Sequence, residues 1–174
     1  DETLFAARDP IGEKPFKYFY DENQLVFASE LKAILAENSV PRQPDLQAVD
    51  LAMTYRFVPE PRTGFEGIKK LPAGHYLVWQ KGNVEIKPYW QAFDFARENT
   101  DRSLEEWKEI LWGTFKNSVR GRLISDVPVG VYLSGGLDSS SVVAAMAELN
   151  MGKIKTFYVG LKDQPESEAP FARL

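Results

Sequence analysis

Two glycines, an aspartate and four serines stand between an apolar run and a helix-period segment in VGVYLSGGLDSSSVVAAMAEL, residues 129–149. Ser134-Gly135-Gly136-Leu137-Asp138-Ser139-Ser140 thus joins highly permissive backbone to dense small polar side chains. Glycine admits a ligand to the backbone without a Cβ clash. A helix beginning just beyond offers unpaired N–H groups and the positive end of its dipole. Ser134, Ser139 and Ser140 add hydroxyl donors. These features suit an anion. Asp138 does not, because a carboxylate repels phosphate. It fits once Mg²⁺ lies between them, an ion that takes one or two carboxylates together with phosphate oxygens. The pattern differs from G-x-x-x-x-G-K-[ST] and from G-x-G-x-x-G, and it contains no lysine. The plain structural alternative is a small-residue turn with an Asp cap, since turns favour these residues.

Such a loop needs a strand before it and a helix after it. The spacing predicts a helix over roughly 139–149 and a second apolar strand over Ile154–Gly160, a βαβ unit that opens a parallel sheet. Ligands of such sheets sit at the carboxyl ends of the strands. Upstream, Ser103-Leu104-Glu105-Glu106 matches a capping box. Leu104, Trp107, Leu111, Phe115, Val119 and Leu123 follow at helical spacing, one face of a long helix. The first ninety residues read differently. Phe16–Tyr20 and Gln24–Ala28 flank a polar turn, as in a β-hairpin, and His75–Trp79 with Val84–Lys87 predicts a second. A short helix over Ser29–Glu37 and another capped by Asp45, carrying Leu46, Val49 and Met53, lie between them. Residues 91–102 are polar and lack strand periodicity. The expected organisation is α+β then α/β, with domains at 1–92 and 93–174.

Composition sets limits. The 174 residues are 44% hydrophobic, with 21 Lys and Arg against 25 Asp and Glu, a net charge of -4. No basic stripe points to nucleic acid. With no cysteine and one histidine, disulfides, thiolate or multi-histidine metal sites and a cysteine nucleophile are excluded within these residues. No apolar run reaches the ~18 residues of a membrane span. The cytoplasm is the default location.

The loop resembles the S-G-G-x-D-S loop of the ATP pyrophosphatase (PP-loop) family. Five specified positions match, against about one chance in a million per start from average composition. Further residues narrow the resemblance. Arg8-Asp9-Pro10-Ile11-Gly12-Glu13-Lys14-Pro15 is similar to the RDxxGxKP segment of class II (Ntn-type) glutaminase domains. Phe27–Ile34 is similar to their FASExKAL segment, and Leu71–Tyr76 with Tyr89-Trp90 to the stretches that close that domain. Ser125–Gly130 then leads into the loop in the order of the glutamine-hydrolysing asparagine synthetases.

That resemblance implies the C-terminal part of a glutaminase domain joined to the start of a synthetase domain. It implies glutamine, aspartate and ATP as substrates, Mg²⁺ as cofactor, an aspartyl-adenylate, and a homodimer as the candidate assembly. It places Asp9 on the glutamine amino group, and Ser134, Gly135, Gly136, Leu137, Asp138, Ser139 and Ser140 on pyrophosphate. Asp138 would also serve Mg²⁺, while Tyr132 and Val159 would lie beside the nucleotide. For Asp9 the plain reading is a turn aspartate before Pro10; for Val159 it is core packing. His75 reads as structural. The family's nucleophile is an N-terminal cysteine, and this chain begins at Asp1. Phe16-Lys17 replaces the usual Leu-Tyr after KP. The chain is therefore expected to be an internal piece of a longer enzyme, inactive by itself. Two other readings compete: a β-lactam synthetase on the same plan, and a non-catalytic nucleotide-binding module.

Overall fold

A computed structural model of the chain describes residues 2–95, 101–150, 152–160 and 169–173. Contacts divide the chain into two units, Asp1–Asn99 and Thr100–Leu174.

In the first unit β1 (Thr3–Ala7), β2 (Lys17–Tyr20), β3 (Leu25–Ala28), α1 (Leu31–Ile34), α2 (Leu46–Tyr55), β4 (Lys69–Lys70), β5 (His75–Gln80) and β6 (Asn83–Pro88) follow in order, with a 3-10 turn at Ala92–Phe95. They form two antiparallel sheets, ordered β1-β5-β6 and β3-β2-β4. Both hairpins form where the sequence predicts them. Asp21 closes the first by accepting from the amides of Asn23 and Gln24 at 2.8 and 3.0 Å, an aspartate turn in which the side chain bonds the backbone just ahead of it. Lys81 and Gly82 close the second, both at positive φ (51° and 78°), the turn whose twist matches its strands.

Successive side chains of a strand point to opposite faces, and β2 uses both. Phe19 packs with Ile34, Val40 and Ile68 on one side. Tyr18 packs with Leu71 and Leu77 on the other, where burial, with the neighbouring Tyr20, pushes its phenol up to about 12. Helix α2 departs from the periodicity. Leu46 and Met53 are 77% and 82% exposed, whereas Ala48 is fully buried. The first turn explains this. Asp45 is buried, accepts from the Ala48 amide at 3.0 Å and pairs with Arg62 at 2.6 Å. That anchorage turns the small Ala48 inward and Leu46 outward.

The second unit comprises α3 (Leu104–Arg122), β7 (Gly130–Tyr132), α4 (Leu137–Glu148), β8 (Lys155–Phe157) and α5 (Ala169–Ala172). The predicted capping box starts α3: the Ser103 hydroxyl accepts from the Glu106 amide at 3.3 Å, and the Glu106 carboxylate accepts from the Ser103 amide at 2.7 Å. Only the later part of the predicted stripe is covered. Leu104 and Leu111 are exposed, and Trp112, Phe115 and Leu123 pack on buried Val119, Ala145 and Met146. Trp112 replaces Leu111 because its indole reaches α4, where Glu148 accepts from its N–H and from Lys116 Nζ. Strands β7 and β8 run parallel, with Tyr132 opposite Phe157. Antiparallel sheets followed by a parallel pair give the mixed α/β order expected. Among the described residues no helix is long and apolar enough to cross a membrane.

Candidate functional site

The glycine loop leaves the carboxyl end of β7. The ladder runs one bond further, from Leu133 N to Phe157 O at 2.8 Å, and the chain then turns. Gly135 sits at φ +87°, where a Cβ would lie 2.6 Å from both the carbonyl carbon and Cβ of Phe171. Helix α5 therefore approaches the loop as closely as only glycine permits. Gly136 is the N-cap of α4 and makes no side-chain cap hydrogen bond.

Two serines brace the turn from within. The Ser139 hydroxyl accepts from the Ser134 amide at 3.2 Å and donates to the Gly136 carbonyl at 3.2 Å. The Ser134 and Ser139 hydroxyls lie 3.0 Å apart, and Ser134 Oγ accepts from the Gly136 amide at 3.3 Å. The loop is thus pre-shaped by its own hydroxyls. The Ser140 amide bonds to Gly136 O at 3.1 Å, so intrahelical bonding begins there. The amides of Leu137, Asp138 and Ser139 are the leading helix donors, which have no intrahelical acceptor. Leu137 is 83% exposed, and Asp138 lies exposed in the same first turn. No cluster of three metal-ligating side chains occurs among the described residues. A lone carboxylate in this turn could hold Mg²⁺ only with other ligands such as phosphate and water, not as an ion caged by protein.

Tyr132 is 73% exposed at the end of β7, its ring 6.3 Å from that of Phe157. The Tyr132–Phe157 register sets Ser134 and Val159 each two residues beyond a paired strand position. Val159 is 74% exposed, so it does not serve as core. A cavity of about 360 Å³ lies there, lined by Leu133, Thr156, Phe157, Tyr158, Ala172 and Arg173. That is at the small end of ligand clefts. Thr156, Tyr158 and Arg173 were not singled out in the sequence. The first two alternate with Phe157 within the predicted strand Ile154–Gly160; Arg173 follows α5, which brings it back to the strand ends.

Asp9 belongs to the first unit. The loop from Arg8 to Lys14 is tied across itself by charged side chains. Arg8, nearly buried, donates to the carbonyls of Gly12 at 2.8 Å, Lys14 at 2.9 Å and Leu71 at 2.6 Å, and pairs with Glu60. Asp9 accepts from the Glu13 amide at 2.7 Å on one carboxylate oxygen and from the Lys14 amide at 2.9 Å on the other. The Lys14 amide, then the Glu13 amide, with a lesser contribution from Arg8, hold its carboxyl below the usual aspartate value. Each oxygen retains a lone pair, so an ionised carboxylate stays able to receive an ammonium. The turn role at Asp9 therefore does not preclude a binding role. His75 Nδ1 lies 2.8 Å from the Ala73 carbonyl, a local hairpin contact.

Comparison with known proteins adds the following. A profile of the glutamine amidotransferase domain matches residues 1–90, and one of asparagine synthase matches residues 111–174. A putative glutamine-hydrolysing asparagine synthetase 2 of Methanocaldococcus jannaschii is 36% identical over 98% of this chain and 33% of its own length. Glutamine-hydrolysing asparagine synthetase 1 of Bacillus subtilis is 36% identical over 99% of this chain and 27% of its own. Asparagine synthetase B of Escherichia coli is 35% identical over 99% and 25%. The chain thus spans a quarter to a third of the length of these relatives.

Proposed function

Since the chain belongs to the family that joins a glutamine amidotransferase domain to an asparagine synthase domain, we propose that the whole protein makes asparagine from aspartate, ATP and glutamine. The observation that carries this is the self-braced loop Ser134–Ser140 at a strand end, in the same chain as an amidotransferase segment with an ionised, amide-held Asp9. In this reading 1–92 closes an Ntn-type glutaminase domain and 93–174 opens a PP-loop domain whose parallel sheet extends beyond β7 and β8. The profile limits at 90 and 111 support the division.

The chemistry suits the parts. A carboxylate is a poor acyl donor at neutral pH. The aspartate β-carboxylate attacks the α-phosphorus of ATP, the bond to the β-phosphate oxygen breaks, and pyrophosphate leaves. Ammonia then attacks the acyl carbon of the aspartyl-adenylate, AMP departs and a proton is released to solvent. Ser134–Ser140 hold the pyrophosphate, and the leading amides of α4 oppose its growing charge. Stabilisation placed where charge develops is the dominant contribution in such sites. Asp138 would hold Mg²⁺, which supplies charge neutralisation on the phosphates when bound. Tyr132 and Val159 are the chain neighbours of Leu133 and Tyr158, which line the cavity proposed for the nucleoside. Asp9 holds the glutamine ammonium. The thiol that would hydrolyse glutamine is not among these residues and comes from elsewhere in the whole protein. We propose a cytoplasmic homodimer.

The test uses the whole protein with ATP, Mg²⁺, aspartate and ammonia. Pyrophosphate and asparagine should appear together, and Asp138→Ala should abolish both while the protein stays folded. ATP bound without pyrophosphate release would leave only a nucleotide-binding module. Pyrophosphate formed with another carboxylate but not with aspartate would point to a different amide product.

A further inference from the structure

Tyr89 follows the end of β6 and is 49% exposed, so burial does not account for its position. Its hydroxyl donates to the Arg8 carbonyl at 2.7 Å, across 81 residues of chain. That carbonyl belongs to the peptide joining Arg8 to Asp9. A peptide unit is planar, so fixing this oxygen fixes the amide plane from which the Asp9 side chain departs. The next peptide is held from the same quarter. The Asp9 carbonyl accepts from Gly74 N at 3.0 Å, and the Gly74 carbonyl accepts from the amides of Tyr89 and Trp90 at 2.8 and 3.2 Å. Gly74 has φ +67°, and a Cβ there would overlap the Trp90 carbonyl oxygen. The two peptides flanking Asp9 are therefore clamped to one short segment after β6, directly by Tyr89 and through Gly74.

We infer that Tyr89 is a positioning residue for glutamine: its hydroxyl aims the Asp9 carboxylate at the substrate's ammonium. This rests on the reading of Asp9 given above. Tyr89→Phe keeps the ring and removes only the hydroxyl. A single hydrogen bond contributes about 0.5–1.5 kcal/mol net. Because 1.4 kcal/mol is tenfold, the KM for glutamine should rise about two- to tenfold. The maximal glutamine-dependent rate should hold, and so should the ammonia-dependent rate.

The experiment measures Tyr89→Phe in the whole protein with both nitrogen donors, alongside Asp9→Asn. An unchanged glutamine KM in Tyr89→Phe, with a raised KM in Asp9→Asn, would overturn the positioning role and leave the Asp9 reading intact. A parallel fall with glutamine and ammonia would assign Tyr89 to folding alone and would also overturn it. An unchanged KM in Asp9→Asn would remove the premise itself.

Discussion

Asp9 shows at the level of one residue why a turn aspartate can also be a binding group. Its carboxylate is spent on the amides of Lys14 and Glu13, yet those bonds favour the charged form that a cationic substrate needs. The sign follows directly. The folded pKa lies below the ordinary value of 3.8, so the loop's gain from this carboxylate is complete above that value. It is lost as pH falls through the depressed one. NMR titration of the Asp9 carboxyl carbon should therefore give a midpoint below 3.8. A midpoint at or above it would mean that these amides do not hold the carboxylate in solution. Gly135 carries a comparable double duty that its letter alone hides: positive φ was foreseeable for a glycine in a turn, the contact with α5 was not.

Elements divide into those legible from local pattern and those decided by partners. Both hairpins and the Ser103–Glu106 capping box were legible because their cause is local, a turn residue or a cap within a few positions. The pairing of β1 with β5 was not, since it joins residues some seventy positions apart and no local signal specifies a partner. The stretch Ser134–Ser140 was legible as a glycine turn between strand and helix, but the close approach of Phe171 to Gly135 and the cavity beside the strand ends depend on β8 and α5. Periodicity misled where anchoring overrode it. Leu46, Val49 and Met53 describe an apolar face on α2, yet Asp45 and Ala48 set the rotation of that helix. The contrast between two methionines tests this. Met146 is 4% exposed and Met53 is 82% exposed. In denaturant unfolding of the chain, Met146→Ala should cost about 2–5 kcal/mol, as for other buried methionines. Met53→Ala should stay within about 0.5 kcal/mol. Equal losses would mean that α2 is turned the other way.

At the scale of the whole molecule, the two candidate sites fall in separate units, each with its own core. No residue proposed for glutamine belongs to the second unit, and none proposed for ATP belongs to the first. Substitutions that leave folding intact should therefore separate the two half-reactions of the proposed enzyme. Asp138→Ala in the whole protein should lose ATP-dependent pyrophosphate release and retain glutamine hydrolysis, measured as glutamate formed without ATP turnover. Asp9→Asn should raise the glutamine KM and keep asparagine synthesis from ammonia. The physical basis is that each substitution removes a charge with local partners only: Asp9 has the amides of its own loop, and Asp138 the exposed first turn of α4. Charges without shared partners act additively. If Asp138→Ala also stopped glutamine hydrolysis, the glutaminase half would depend on an occupied phosphate loop. The two units would then be coupled by substrate, and the division of labour argued from their separate cores would fail.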